Sequence, residues 1–284
     1  MKLTSPETVK KIMRTAGLNF NKSLGQNFLV DEDILKTIVE SSDIDKSFGV
    51  IEIGAGIGTL THALSERAGK VLALEFDRHI VDYLKTAFAL YENVKIIQAD
   101  ALKTDLNTLI KEHFEGMSAA IVANLPYYIT TPLIMKFFED GLPIDSITVM
   151  VQKEVADRIA ASPAERDYGA LTVAVQYYSK PEIITLVPPE CFMPPPKVTS
   201  AVIRLDIKNH KRPFVSNEQR FFKVVKAAFG QRRKTLANAL SNAFSIPKDK
   251  LFPIINEICK NEKIRGEDLS LEQFIWLSEE LGSY

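Results

Sequence analysis

The stretch that decides the fold is VIEIGAGIGTLTHAL, residues 50–64. An apolar run typical of a buried strand leads into Gly54, Gly56 and Gly58, and a helix-like segment follows. Glycines let the backbone turn tightly and approach a ligand closely, while the N-terminus of the next helix presents free N–H groups. The pattern predicts a cofactor site. Taken alone, the motif does not decide between a dinucleotide and another adenosine-containing cofactor. It does lack the glycine or alanine that the dinucleotide fingerprint has at its sixth position.

Strand-like and helix-like segments alternate on both sides of this loop. Short β-rich apolar runs separated by crossover-length segments predict an α/β fold with a doubly wound, mostly parallel sheet. We expect seven strands, at residues 49–53, 70–75, 94–97, 119–123, 146–151, 182–187 and 200–207. The last two are separated by only 12 residues, which predicts an antiparallel hairpin at the sheet edge.

The periodicity becomes helical after about Lys211. Four helices are expected, over residues 217–229, 232–243, 248–260 and 270–281. Two more are expected before the first strand: one begins at Ser5 with Pro6 in its first turn, and one covers about 31–41. We therefore predict an α/β domain over residues 1–211, with an N-terminal helical extension, and a small all-helical domain over 212–284.

Composition narrows the class of protein. A hydrophobic content of 46% and a charged content of 25% are those of a soluble globular protein. No apolar run approaches the ~20 residues of a membrane helix, and the N-terminal stretch lacks the apolar core of a signal peptide. We therefore expect a cytoplasmic protein without a membrane segment. The two cysteines and four scattered histidines show no metal-ligand spacing, so reduced thiols and no metal site are expected.

The net charge of −1 hides two basic runs. Residues 204–234 contain ten Lys or Arg against two acids, and residues 1–27 contain five against one. Either run alone could be an ordinary solvated face. Two such runs flanking a predicted catalytic domain favour a polyanionic partner, with nucleic acid as the leading candidate.

Two carboxylates end successive predicted strands beside the glycine loop. Glu75 closes the second strand, where a carboxylate can accept hydrogen bonds from both hydroxyls of a ribose. Asp100 follows the third strand and could accept from an adenine amino group. Each could be a solvated strand-end residue, but together with the loop they favour an adenosine pocket.

The segment Asn124-Leu125-Pro126-Tyr127 ends the fourth predicted strand, beside the switch point where ligands bind in doubly wound sheets. Proline restricts Leu125 to extended conformations, which largely fixes the direction of its carbonyl. That carbonyl and the Asn124 side-chain oxygen could accept both protons of an exocyclic amine, and Tyr127 could stack on the base. The alternative is a plain turn with core tyrosines.

Seven motifs in this order resemble one known family. They are KSLGQNFL, EIGAGIG, LEFD, ADAL, NLPYY, MVQKEVADRI and CFMPPPKV, with FGQRRKTLANAL in the tail. The chain resembles the bacterial ribosomal RNA small-subunit adenine dimethyltransferases, the kasugamycin-resistance methyltransferases, over almost its whole length. The resemblance implies a Rossmann-like fold and S-adenosylmethionine-dependent N6,N6-dimethylation of two adjacent adenosines. These adenosines lie in the 3′-terminal hairpin loop of 16S rRNA in the 30S subunit. The resemblance therefore also implies a role for the protein in ribosome biogenesis.

The resemblance also assigns residues. It implies contacts of Gln26, Asn27 and Leu29 with the methionine end of the cofactor. The other implied cofactor-binding residues are Glu52, Gly54, Gly56, Glu75, Asp100, Ala101 and Asn124. The implied catalytic residues are Asn124, Leu125, Pro126 and Tyr127, with Tyr127 and Phe192 stacking on the two faces of the target base. The residues expected to bind RNA are Arg220, Lys223, Arg232, Arg233 and Lys234.

Three alternatives stay open. The related large-subunit rRNA methyltransferases share the catalytic motifs, although the tail and PPPKVTSAV are nearer the small-subunit group. The chain could instead act mainly by binding, as a checkpoint in ribosome assembly. Dehydrogenase activity is the weakest alternative, because no proton-relay residue accompanies the glycine loop. A monomer is the simplest expectation for an enzyme that docks on a large particle.

Overall fold

The computed structural model describes residues 2–18, 26–231 and 234–283. The strands are β1 (Phe28–Leu29), β2 (Phe48–Ile53), β3 (Lys70–Glu75), β4 (Val94–Gln98), β5 (Ser118–Asn124), β6 (Ser146–Gln152), β7 (Lys180–Val187), β8 (Phe192–Met193) and β9 (Ser200–Asp206). The helices are α1 (Pro6–Thr15), α2 (Glu32–Ser41), α3 (Thr59–Arg67), α4 (Arg78–Ala87), α5 (Leu106–His113), α6 (Thr130–Glu139), α7 (Lys153–Ala160), α8 (Ala170–Tyr178), α9 (Glu218–Gly230), α10 (Leu236–Phe244), α11 (Lys248–Ile258) and α12 (Leu271–Glu280).

Aspartates fix where three of the helices begin. The carboxylates of Asp31, Asp77 and Asp105 precede α2, α4 and α5, and each accepts a backbone N–H from the first turn. Such a cap satisfies a donor that has no partner within the helix. A residue in the local sequence therefore determines where each of these three helices begins.

The main sheet has seven strands in the order β4-β3-β2-β5-β6-β9-β7. β2 pairs parallel with β3 and β5, and β6 pairs parallel with β5 but antiparallel with β9. This confirms the predicted α/β class with a mostly parallel sheet and an antiparallel region at its edge. The strand order reverses between β2 and β5, so their carboxyl ends flank the switch point where doubly wound sheets bind ligands.

A second, two-stranded ribbon was not predicted. β1 pairs antiparallel with β8, joining Phe28 to Met193 and Leu29 to Phe192. Two residues are too few to show the alternation by which strands are recognised in a sequence. The ribbon brings the start of the α/β domain against the loop between β7 and β9.

The chain forms two compact units. One comprises the described residues up to Ala156 together with Pro181–Asn209, and the other comprises Asp157–Lys180 together with the described residues from His210. The predicted boundary at 211/212 left residues 157–180 in the α/β domain. The structure groups them with the helical unit because Tyr168 donates its hydroxyl to the Leu269 carbonyl (2.8 Å) and Tyr177 packs on Phe221.

Helix α8 lies in that regrouped segment and was not predicted. Its sequence, ALTVAVQYY, is rich in β-branched and aromatic residues, which favour strands when exposed on a sheet. Burial of Val173 and Tyr177 in the core of the helical unit overrides that preference. No helix in the described part of the chain has the length and apolar character to cross a membrane.

Candidate active site

The glycine loop leaves the end of β2 in conformations that only glycine adopts readily. Gly54 and Gly56 have φ of +77° and +55°. A Cβ on Gly56 would lie 3.0 Å from the Phe28 ring, so the loop also depends on glycine for close packing. A Cβ on Gly54 would lie 3.5 Å from the Pro126 ring. The cofactor loop predicted from the sequence therefore borders the Asn-Leu-Pro-Tyr segment directly.

Glu75 holds this loop in place. One of its carboxylate oxygens accepts from the backbone N–H of Gly56 (2.9 Å), and the other accepts from Phe76 (2.8 Å) and Asp77 (3.0 Å). Burial raises the pKa of Glu75, and these three hydrogen bonds oppose the rise. The sequence predicted a ribose ligand here and missed this second, structural role.

Asp100 stands at the end of β4 in the same cavity. Its carboxylate accepts from the Leu102 backbone N–H (3.1 Å) and lies 3.4 Å from the Lys103 ammonium. Ala101 is buried beside it. Glu75 and Asp100 thus occupy neighbouring strand ends, as the alternation of strands and helices predicted.

Glu52 is a buried acid that faces the cavity from β2. Burial raises its pKa to about 8, and the negative charge of Glu75 adds to the rise, while a hydrogen bond from the Thr61 hydroxyl (2.6 Å) lowers it. Glu52 is therefore mostly protonated at neutral pH in the cofactor-free protein.

The titration of Glu52 leads to a prediction for cofactor binding. A cationic ligand favours the ionised carboxylate, so binding of the S-adenosylmethionine that the resemblance implies should lower the pKa of Glu52 and release a proton. The affinity is expected to rise roughly tenfold from pH 6.5 to 8.5 and to level off above the pKa of the free protein. Calorimetric titrations at several pH values measure this.

Glu52→Gln is the matched control, because it cannot titrate. Its affinity should lack the rise due to Glu52 and keep only the pH dependence of the cofactor's own α-amino group. A wild-type profile identical to that of Glu52→Gln would show that Glu52 does not sense the charge of the cofactor.

The Asn-Leu-Pro-Tyr segment is held from both ends. Asn124 donates its side-chain N–H to the Asn27 carbonyl (3.3 Å), which leaves its side-chain oxygen as an acceptor for another group. The Leu125 backbone N–H donates to Met150 (3.1 Å), and Pro126 has φ of −59°. The Tyr127 hydroxyl contacts the Ser200 hydroxyl at 2.5 Å.

One cavity of about 390 Å³ is lined by every residue of the predicted cofactor-binding and catalytic sets. The residues of the predicted cofactor and catalytic sets that line it are Gln26, Asn27, Leu29, Glu52, Gly54, Gly56, Glu75, Asp100, Ala101, Asn124, Leu125, Pro126 and Tyr127. A volume of this size is ordinary for a cofactor site, and the strand-end acids beside the glycine loop suit an adenosine-containing cofactor. Their roles as ligands stay predictions.

Three aromatic side chains that the prediction left out also line the cavity: Phe28, Phe76 and Tyr128. Phe76 and Tyr128 are 57% and 56% exposed, unusual for large apolar surfaces. Burial, followed by the charges of Asp100 and Glu75, raises the pKa of Tyr128. Each of the three directly follows a predicted site residue in the sequence, and this adjacency is the signal that could have identified them.

Phe192 lies elsewhere. It is 3% exposed, packs in the core cluster that includes Leu29 and Val202, and does not line the cavity. Its predicted stacking on a target base requires the ring to leave this cluster. That role stays a prediction; of the two predicted stacking residues, Tyr127 lines the cavity and Phe192 does not.

The predicted RNA-binding residues differ in what they contact. The Arg220 guanidinium binds the Ser216 hydroxyl (2.9 Å) and lies 3.6 Å from Glu279, so it is already paired within the helical unit. Lys223 lies over the Phe244 ring and is exposed, as is Lys234. Arg232 and Arg233 lie outside the described residues.

A domain with this strand order, and with its cleft at the reversal, is a Rossmann-like methyltransferase domain. Sequence comparison gives the family. Residues 17–281 match the family described as "Ribosomal RNA adenine dimethylase", and the chain belongs to it. It is an S-adenosylmethionine-dependent rRNA adenine dimethyltransferase.

Individual relatives agree along nearly the whole chain. "Ribosomal RNA small subunit methyltransferase A" of Alkaliphilus oremlandii is 48% identical over 274 residues, 96% of each chain. The crystal structure of a dimethyladenosine transferase from Plasmodium falciparum has a TM-score of 0.77 at 26% identity, covering 90% of this chain and 98% of that one. The 23S rRNA methyltransferase ErmE has a TM-score of 0.70 at 24% identity, with coverage of 90% and 100%, and shows the shared fold.

Proposed function

We propose that the chain dimethylates N6 of two adjacent adenosines in the loop of the 3′-terminal hairpin of 16S rRNA, within the 30S subunit. It acts as a cytoplasmic monomer during subunit biogenesis. The names of its relatives, small-subunit methyltransferase A at 46–48% identity, support the small subunit as the target.

One observation carries the chemistry. The glycine loop and the Asn-Leu-Pro-Tyr segment adjoin so closely that a Cβ on Gly54 would lie 3.5 Å from the Pro126 ring. A ligand cradled by the loop therefore lies next to whatever the Asn124 oxygen binds. Transfer between two bound groups requires this adjacency, because reacting atoms must start about 3–3.5 Å apart.

The residues of the chain supply position and electrostatics. S-adenosylmethionine, when bound, supplies a methyl group on a sulfonium, and its transfer to the amine releases a proton and S-adenosylhomocysteine. The side-chain oxygen of Asn124 and the Leu125 carbonyl accept hydrogen bonds from the two N–H groups of the amine. This favours a pyramidal nitrogen with its lone pair available. That interaction strengthens toward the transition state and lowers the barrier. Tyr127 holds the base by stacking.

No strong base is needed in this scheme. An alkylated amine nitrogen is acidic, so water can accept its proton. Burial raises the pKa of Tyr127 and outweighs the hydrogen bond with Ser200, which lowers it, so this phenol remains neutral and serves as a stacking surface. The second methyl group is transferred after the cofactor is exchanged; the monomethylated amine then has one N–H left, so only one of the two acceptors can bind it.

The direct test uses purified particles. Immature 30S particles are incubated with the protein and labelled S-adenosylmethionine, and the modified nucleotides are mapped. We expect label on N6 of two adjacent adenosines in the last 16S hairpin. Purified 50S particles treated in parallel should stay unlabelled, and label confined to them would assign the chain to large-subunit rRNA instead.

RNA binding is expected to depend on exposed lysines of the helical unit. Reversing the charges of Lys223 and Lys234 removes two phosphate contacts and should weaken 30S RNA binding most at low salt. The slope of log affinity against log salt should fall by about 0.7 to 0.9 for each lost contact. Filter binding over a range of salt concentrations measures both quantities.

Lys263→Glu is the control, because Lys263 is exposed in the same unit but lies outside the basic run 204–234. It makes the same change of charge as each single reversal, Lys223→Glu or Lys234→Glu, and should preserve both affinity and slope. Equal losses in the control and in the single variants would show that the RNA senses only net charge.

A further inference from the structure

The side chain of Tyr127 is fixed at both ends. Its backbone begins a single turn of 3-10 helix, Tyr127–Ile129, directly after Pro126, whose ring restricts the chain. Its hydroxyl lies 2.5 Å from the hydroxyl of Ser200, and either oxygen can donate. A ring with only two rotatable bonds, held at its base and its tip, has one orientation.

Ser200 is well placed to act as the fixed point. It is the first residue of β9, lies opposite Gln152 of β6 in the register, and is completely buried. It does not line the cavity. Its hydroxyl therefore reaches the site only through Tyr127.

We infer that Ser200 is a positioning residue, which holds the Tyr127 ring at the angle at which it stacks on the target adenine. This inference rests on the proposed function and adds to it a residue outside the cavity. Tyr127 is only partly buried, so its hydroxyl can turn toward water if Ser200 is lost. The ring then leaves its stacking position while the backbone of the segment stays in place.

The energetic scale of one hydrogen bond sets the expected effect. Ser200→Ala should lower kcat for methylation of 30S particles roughly 5- to 10-fold. The KM for the particle should be unchanged, because phosphate contacts far from the base dominate RNA affinity. S-adenosylmethionine should still bind with one-to-one stoichiometry and wild-type affinity, which shows that the protein is fully folded.

A double-mutant cycle tests the pairing itself. Tyr127→Phe removes the same hydrogen bond from the other side and should lower kcat by the same factor. The variant with both substitutions should be no slower than either single one. Independent, multiplying losses would overturn the inference, as would wild-type turnover by Ser200→Ala. If Ser200→Ala does not fold, Tyr127→Phe alone decides: a reduced kcat supports the inference and an unchanged kcat overturns it.

Thr148→Val provides the matched control. Thr148 lies on β6, is completely buried, and its hydroxyl has no hydrogen-bond partner among the described residues. The substitution removes a buried hydroxyl from the adjoining strand without touching the cavity. We expect wild-type kcat and unchanged or slightly increased thermal stability.

A readout without substrate separates this inference from the proposed function. Protein labelled with 3-fluorotyrosine gives a fluorine NMR signal for Tyr127, assigned by its loss in Tyr127→Phe. That signal should shift or broaden in Ser200→Ala and stay unchanged in Thr148→Val. An unmoved signal in Ser200→Ala overturns the positioning role, whereas failure of the wild type to label 30S particles counts only against the proposed function.

Discussion

Asn124→Ala protein is expected to lose nearly all methyl transfer to 30S particles while still binding S-adenosylmethionine. Removing the carboxamide takes away one of the two acceptors that stabilise the reacting amine in the transition state. Loss of a single such group typically costs 10²–10³-fold in kcat, and the expected loss here is on the order of 10³-fold. Cofactor affinity should weaken by less than about tenfold, because Glu75 and Asp100 remain. Single-turnover methylation and calorimetry measure the two effects separately.

Two further variants sharpen the result. Asn107 also donates its side-chain N–H to a backbone carbonyl, that of Asp140, but it lies outside the cavity. The Asn107→Ala protein should therefore keep full activity. Asn124→Asp keeps the size but cannot donate to the Asn27 carbonyl, so it should not restore turnover. Substantial methylation by Asn124→Ala would contradict the role of Asn124 as an acceptor for the target amine.

Glu75→Gln should reduce the affinity for S-adenosylmethionine at least about 100-fold. The carboxylate both faces the predicted ribose position and accepts three backbone N–H groups that shape the glycine loop. Glutamine offers one oxygen instead of two and carries no charge, so at least one loop contact is lost together with the ribose contact. Hydrogen bonds to charged groups contribute about 1.5–3 kcal/mol each, which gives the expected factor.

Asp77→Asn separates this effect from a simple loss of charge. Asp77 lies two residues away, caps α4 through the His79 backbone N–H, and does not line the cavity. Asparagine caps helices equally well, so affinity and melting temperature should both be retained. A Glu75→Gln protein that binds cofactor within threefold of the wild type would contradict the role given to this carboxylate.

The sequence predicted which residues share the cavity because its signals were local. The loop at Gly54 and Gly56, the acids at strand ends and the segment at Asn124 each follow a buried strand, and parallel strands bring their carboxyl ends to one edge. Their convergence in one cavity followed from topology. The expected start of α2 at about residue 31 likewise lies within one residue of its start at Glu32.

What the sequence missed depends on contacts between distant residues. Ser200 reaches Tyr127 across 73 positions, and the ribbon joins Leu29 to Phe192. Helix α8 forms against local preference because its apolar side chains find a core in the helical unit. The pairing of Arg220 with Glu279 is equally invisible in a count of basic residues. Tertiary contacts of this kind leave no periodic trace along the chain.

The position of β9 has a consequence for synthesis of the protein on the ribosome. Among the described residues it is the last strand to emerge, yet it lies between β6 and β7 in the finished sheet. A nascent chain that stops before Ser200 presents β6 with an open row of N–H and C=O groups, which can pair with another chain. Prematurely terminated products should therefore aggregate, and the sheet cannot close until translation has passed Asp206.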